Sequence, residues 1–391
     1  MPPSPIRAAT ADLASDCHFG TDVLIEADEV EIGPGCRIGD SGDDDFRTPG
    51  GVRIKVGRLV LGPGVRIGRQ VRIEGGEIRL DEAVRVQRNA SLRVLDELHI
   101  GAHGTVGEQA EISGRRVEIG QELWMLPQAK VGGGSAFERS SSLVAGHYLH
   151  LGVDSLVNTA RPVVIGHEVG LGTRTSIYTH GAYPSRLEGF PVAFDGVEIG
   201  DFSWLPGAIV NPGVRIGRNV VVGVNSLVTS DLPDGALAAG SPAKVIREQS
   251  YPRPLEGERL VDFFRSFLSH YAELLGSDAV PEPLDDPLAG VRLDTPEVSY
   301  VAVAEPRAEV AARGRRACIL GADGAEVAES AWTVFDTRSR HIRGLADGVS
   351  ERVANELRRY GIRFYSRPAG DRYVDWEARP PSHRAAATSD G

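Results

Sequence analysis

Aliphatic residues recur every six positions along much of this chain, and few folds accept that spacing. Leu61-Gly62-Pro63-Gly64-Val65-Arg66 leads to Ile67, and Ile32-Gly33-Pro34-Gly35-Cys36-Arg37 leads to Ile38. Ile119, Met125 and Val131 keep the same step, as do Ile165, Leu171 and Ile177, and then Val210, Ile216, Val222 and Val228. A period of six matches neither the 3.6 of a helix nor the plain alternation of hairpin strands. It matches a three-sided prism in which each side is a short strand with a tight turn, and three hexads complete one coil. The aliphatic residue points inward and stacks on its equivalents above and below. One coil cannot bury its own interior, so stability comes from stacking neighbours. Glycine or asparagine near the corners is expected to supply the positive φ of the turns. Residues 21–248, less their excursions, hold roughly 9 to 11 such coils.

Three stretches leave the pattern: DSGDDDFRTPG at 40–50, GGGSAFERSSS at 132–142, and TSIYTHGAYPSRLEGFPVAFDG at 175–196. Loops on a rigid scaffold are where function concentrates. The first two carry no obvious chemical set and read as surface insertions. The third contains His180, the third residue past the last match at Ile177. A histidine there can be neutral and receptive to a proton near pH 7.

From Pro162 to Arg247 the chain resembles the hexapeptide-repeat acyltransferases, and NPGVRIGRNVVVGVNSLVTSDLPDGALAAGSPAKVIR is similar to the end signature of their sugar and antibiotic acetyltransferase branch. The resemblance implies a mainly β fold, a left-handed parallel β-helix, over 21–248. It also implies a homotrimer with active sites between subunits, a small-molecule acceptor, and acetyl-CoA or another acyl-CoA as co-substrate with no metal. SIYTHGAYPS looks like the family segment whose histidine opens an extruded loop, which makes His180 the general base. Asp154, counted back from Ile165-Gly166, matches an acceptor-binding asparagine, and Asn158 is a second acceptor candidate. Glu188 and Asp195 are alternatives for a carboxylate that orients His180. Trp204 stands where the family has a tryptophan near the active site, packed on ligand or on a neighbouring subunit. Between Trp204 and Asn211-Pro212-Gly213 the chain is one residue short of the family spacing, which leaves the register of 205–210 open.

For coenzyme A, the resemblance points to small residues beside the pantetheine arm, Gly207, Ala208, Gly223 and Ser226, and to Lys244 and Arg247 meeting phosphates. His147 and His150 either line the acceptor pocket or serve packing, and His167 takes a turn position. The reaction implied is direct transfer of an acyl group to a hydroxyl or amine of a sugar or similar acceptor, with backbone N–H groups steadying the oxyanion. That activity would belong to polysaccharide or natural-product biosynthesis. Two other readings compete. A non-catalytic scaffold uses the same prism. A γ-type carbonic anhydrase needs three converging histidines, and the required close pair is missing here.

After Arg247 the hexads stop. EGERLVDFFRSFLSHYAELL (256–275) has helical spacing, and 249–289 reads as helix plus linker. Residues 290–379 read as a small α+β domain with strands in VSYVAVA, RACILG, WTVFDTRSRHI, GIRFYSR and DRYVDWE and a helix from Leu345 to Tyr360. Residues 1–20 read as an extension and 380–391 as a disordered tail. A formal charge of -11 argues against nucleic-acid or anionic-membrane partners. Three scattered cysteines without a CxxC pair suit a reducing cytoplasm. No signal peptide or membrane span is expected.

Overall fold

The computed structural model describes residues 5–39, 51–304, 316–321, 332–337, 340–345 and 347–364. The acidic stretch at 40–50, the DRYVDWE strand and the tail lie outside them. Residues up to Pro252 form one compact unit and those from Arg253 a second.

The first unit is a parallel β-helix. Ile25, Ile54, Ile73, Leu92, Ile112, Val131, Val157, Ile177, Val210 and Val228 are register partners in turn, and none is more than 1% exposed. Two more inward ladders complete the prism. One runs from Ile38 through Ile67, Val86, Val106, Met125, Leu151 and Leu171 to Leu205. The other runs from Ile32 through Leu61, Leu80, Ile100, Ile119, Ala145, Ile165 and Ile199 to Ile216. Stacking begins before residue 21: Ile6–Leu13 pairs in parallel with Val23–Ile32, and His18–Phe19 with Arg37–Ile38. The final strand, Ala243–Arg247, folds back antiparallel on Leu237–Gly240 and closes the stack.

The corners differ from expectation. Most of their positive-φ residues are not glycine: Glu122, Tyr148, Glu168, Arg174 and Phe202 all have φ between 51° and 60°. The left-handed conformation costs such residues about 1–2 kcal/mol each. The cost is offset by satisfied backbone: the N–H of Glu122, Tyr148, Glu168 and Phe202 each reaches a carbonyl of the preceding coil at 2.8–2.9 Å. Glycine after the inward aliphatic has another task. A Cβ on Gly152 would lie 2.4 Å from the backbone of Gly172 in the next coil. Those glycines are there for close approach, not for φ.

Among the described residues of the second unit six strands lie side by side in chain order: Glu282–Pro283, Gly290–Asp294, Val298–Val303, Arg316–Gly321, Trp332–Asp336 and His341–Gly344. The third to fifth are parallel, and the remaining neighbours antiparallel. A helix, α1 (Glu258–Leu274), buries Phe264, Phe267, Leu268 and Tyr271 in one core with Val291, Leu293 and Tyr300. The segment read as helix plus linker therefore packs its helix on this sheet. The WTVFDTRSRHI stretch is a hairpin, Trp332–Asp336 against His341–Gly344, and not one strand. Residues 361–364 of GIRFYSR form no strand. A second helix, α2 (Gly348–Arg359), starts later than Leu345 because Asp347 caps it, accepting from the N–H groups of Val349 and Ser350.

Candidate functional site

The coil that ends at Ile177 continues through Tyr178 and Thr179 to His180, which opens a two-residue antiparallel ladder with Ala193–Phe194. The imidazole stacks on the Phe194 ring, centroids 5.9 Å apart and planes 20° off parallel. Its Nδ1 lies 2.9 Å from Oδ1 of Asn158, one coil earlier and 3% exposed. The neighbours of Asn158 fix which way its amide points. Its Nδ2 donates to the carbonyls of Gly132 and Gly134, both at 3.1 Å, and its Oδ1 accepts from the Thr179 hydroxyl at 2.6 Å. The reversed amide would face oxygen to oxygen at both glycines. Nδ1 of His180 must therefore be the donor, and Nε2 carries the lone pair. Nε2 faces glycine: a Cβ on Gly134 would sit 3.5 Å from it.

The carboxylates proposed as orienting partners are elsewhere. Glu188 is exposed in a 3-10 turn, Arg186–Glu188. Asp195 accepts from the N–H of Gly196 at 2.8 Å. An amide orients the ring instead, and it brings no full negative charge to the imidazole. Asp154 is exposed on a corner at φ 56°. Of the two acceptor candidates, Asn158 is the one brought to His180, and it is buried behind the ring.

The stretch GGGSAFERSSS, read as an inert insertion, builds part of this site. It supplies the two carbonyls that hold Asn158. It also supplies Glu138, whose carboxylate accepts from Arg161 at 2.7 Å. That hydrogen bond, with one from the hydroxyl of Ser135 adding to it, holds Glu138 below the usual carboxylate range. The Arg161 guanidinium lies 4.9 Å from the Phe194 centroid. Arg161, Glu138 and Phe194 were all missed from sequence. A coil of about twenty residues puts positions i and i−20 side by side, and that offset from His180 leads to Ala160 and its neighbours.

A groove of about 700 Å³ runs along a corner of the same prism. It is lined by Trp204, Gly207, Ile209, Val224, Ser226 and Ser241 among others. Three of the ligand candidates, Trp204, Gly207 and Ser226, thus share one surface. Trp204 lies flat over a missing side chain: a Cβ on Gly170 would come within 2.3 Å of its ring. The shortened corner is three residues, 206–208, where its neighbours use four, 172–175 and 223–226. Register recovers because Gly207 takes φ 62° and donates its N–H to Thr175 Oγ1 at 2.9 Å. Ala208 is wholly buried inside the prism. Gly223 is a close-approach glycine, where a Cβ would meet Ala239 at 2.8 Å. Lys244 and Arg247 are exposed on the last strand, Lys244 opposite Ala239.

His147 and His167 replace carboxylates at a corner. Nδ1 of His147 accepts from Gln121 N–H at 2.9 Å, and Nδ1 of His167 accepts from His147 N–H at 3.0 Å. In the next coil Asp201 accepts from His167 N–H in the same way. His150 stands between Trp124 and Trp204. Among the described residues no group of three or more His, Cys, Asp or Glu could hold a metal ion.

No family model matches the chain. An acetyltransferase-named protein of Saccharomyces cerevisiae is 36% identical over 113 residues, 28% of this chain and 57% of that one. The galactoside O-acetyltransferase of Escherichia coli is 31% identical over 132 residues, 33% and 63%. A Schizosaccharomyces pombe protein, likewise named an acetyltransferase, is 31% identical over 152 residues, 36% and 70%. The chain spans 57 to 63% of the length of the first relatives it matches. Among solved structures, a polySia-specific acetyltransferase aligns at TM-score 0.37 and 15% identity over 68% of this chain and 98% of that one. A Vibrio cholerae hexapeptide-repeat acetyltransferase complexed with acetyl coenzyme A aligns at 0.25 and 23%, over 38% and 69%. Fold and repeat define a hexapeptide-repeat β-helix protein. The chain belongs to the hexapeptide-repeat acyltransferase family.

Proposed function

We propose that the chain is a coenzyme A-dependent acyltransferase that moves an acetyl or other acyl group to a hydroxyl or amino group of a sugar or related small molecule. The observation behind the reading is the locked pair Asn158–His180: a buried amide accepts from Nδ1–H and leaves Nε2, beside Gly134, as the ring's acceptor atom. Coenzyme A, when bound, supplies the acyl group as an activated thioester. The groove suits it: Gly207 and Ser226 leave room for a slender arm, Trp204 offers a flat apolar wall, and Lys244 and Arg247 supply positive charge at the end of the stack. His180 accepts the proton of the attacking hydroxyl or amine at Nε2. Asn158 holds the ring and tautomer throughout, and the proton passes from Nε2 to the leaving sulfur.

The same reading includes a homotrimer whose active sites lie between subunits. Val224, Ile209 and Trp204 are 66%, 42% and 41% exposed beside the groove, more apolar surface than an isolated groove needs. It also includes a cytoplasmic location, in keeping with three free cysteines, two of them buried. No helix among the described residues is long and apolar enough to cross a membrane. Thiol release from acetyl-CoA, followed across a panel of sugar and amino-sugar acceptors, tests the activity. Acceptor-dependent release is the expected result. Failure to bind acetyl-CoA at millimolar concentration would favour a non-catalytic scaffold instead.

A further inference from the structure

Arg316 and Arg115 each close one edge of the guanidinium, Nε with Nη2, on a single carboxylate. Arg316 does so on Asp347 at 2.9 and 3.0 Å, and Arg115 on Asp96 at 2.7 and 3.3 Å. Arg161 is anchored differently. Its Nη1 donates to the Glu138 carboxylate at 2.7 Å, the Ala160 carbonyl at 2.8 Å and the Ser140 hydroxyl oxygen at 3.1 Å. Its backbone N–H donates to the Thr179 hydroxyl oxygen at 3.1 Å, and that hydroxyl donates in turn to Oδ1 of Asn158. Among the described residues neither Nε nor Nη2 of Arg161 meets an acceptor, and the side chain is 27% exposed. The residue is held still while one edge stays open to a solute. Phe194 touches both this guanidinium, 4.9 Å from the ring centroid, and the imidazole of His180. Glycines keep the space by the imidazole clear: Gly134 faces Nε2, and a Cβ on Gly181 would meet nothing within 4 Å.

We propose that Arg161 reads an anionic group on the acceptor, a carboxylate or a phosphoryl ester, while the hydroxyl or amine of the same molecule lies at Nε2 of His180. The Nε–Nη2 edge of a guanidinium takes such a group through two parallel N–H···O bonds. Glu138 occupies the other end of the guanidinium, so it does not compete for that edge. It does balance the charge, and the edge therefore offers direction more than net attraction. A loose anion gains little there. An anion carried on a molecule already held at His180 arrives at high effective concentration. One aromatic ring links guanidinium and base, which suits a single sugar unit with its acid group and its reacting group on opposite sides. The acceptor is then an acidic or phosphorylated sugar, and Arg161 sets that specificity. The inference deepens the acyltransferase reading by naming the chemistry of the acceptor, and it rests on that reading for the role of His180.

Binding is measurable without any transfer. The test is saturation-transfer NMR titration of the full-length protein with three sets of probes: glucuronate and galacturonate, glucose 6-phosphate and galactose 6-phosphate, and the neutral parent hexoses. The wild type is expected to bind at least one anionic sugar about tenfold or more tightly than its neutral parent, the scale of a hydrogen bond to a charged group. Whether the carboxylates or the phosphates gain identifies the group that is read. Arg161→Gln should erase the preference. Arg161→Lys keeps a point charge but no planar fork, and it should restore only part of the preference. If the glutamine variant loses structure, the lysine variant serves alone and should still show a reduced preference. Equal affinity for charged and neutral sugars, no binding of any probe, or a preference that survives both substitutions would overturn the proposal. Thiol release from acetyl-CoA, followed separately, tells the two readings apart. Release with no anionic preference removes this inference alone, and an Arg161-dependent preference without release under any acceptor leaves it standing and removes the acyltransferase reading.

Discussion

Oδ1 of Asn158 lies 2.9 Å from Nδ1 of His180, although 22 residues separate them in the chain. One turn of the prism brings them together, and the amide is held from behind by two glycine carbonyls. The pair tells two roles apart. Asn158→Ala removes the acceptor and frees the ring to turn, so kcat should fall about 10–100-fold while KM for acyl-CoA holds, the order lost when the hydrogen-bond partner that orients a functional histidine is removed. Asn158→Asp keeps an acceptor and adds a negative charge, which favours the imidazolium. The acid limb of kcat/KM against pH should then move to higher pH. Rate profiles of the two variants, measured side by side, check both statements.

Gly152 marks how closely the coils approach. A Cβ there would lie 2.4 Å from Gly172 C, a backbone atom that cannot swing away. Gly152→Ala should destabilise the β-helix by about 1–3 kcal/mol, the usual range for overpacking. Gly181 meets nothing within 4 Å, so Gly181→Ala should leave stability within about 0.5 kcal/mol. Urea denaturation of both variants separates the two cases.

In the second unit, Arg316 clasps Asp347 through Nε and Nη2 at 2.9 and 3.0 Å, tying a strand to the cap of α2. The hydrogen bonds from Arg316, aided by Ser350, lower the Asp347 pKa to about 2. A depressed carboxylate pKa stabilises the fold above the unfolded pKa near 4, and that stability disappears as pH falls through about 2. Asp347→Asn should therefore cost about 2 kcal/mol at neutral pH. The gap from wild type should narrow between pH 4 and 2. Hydrogen exchange of α2 amides over that range reads the effect.

Much of this molecule could be read from its letters because the six-residue period has a direct physical meaning. An aliphatic residue every sixth place, as at Ile165, Leu171 and Ile177, must find an inward face on a short-sided prism. His180 stood out because it broke that count beside an exposed loop. Its partner did not stand out. Glu188 and Asp195 are its neighbours in sequence, yet the rigid neighbour in space is Asn158, a coil earlier. Glycine was misread for a related reason. Sequence shows that a residue lacks a Cβ, but not whether φ or a neighbouring backbone requires the vacancy. The insertion at 132–142 looked inert because two of its contributions are backbone carbonyls, which no side-chain motif records, and its Glu138 meets Arg161 only 23 residues further along the chain.

If Nε2 of His180 takes the acceptor proton, His180→Ala removes that atom without touching the buried ladders. The decisive measurement is kcat/KM for acceptor-dependent thiol release from acetyl-CoA in the wild type and in this variant, with acetyl-CoA affinity measured in parallel. The variant should lose about 10²–10⁴-fold in rate with acetyl-CoA binding retained. Undiminished turnover in His180→Ala would contradict that role.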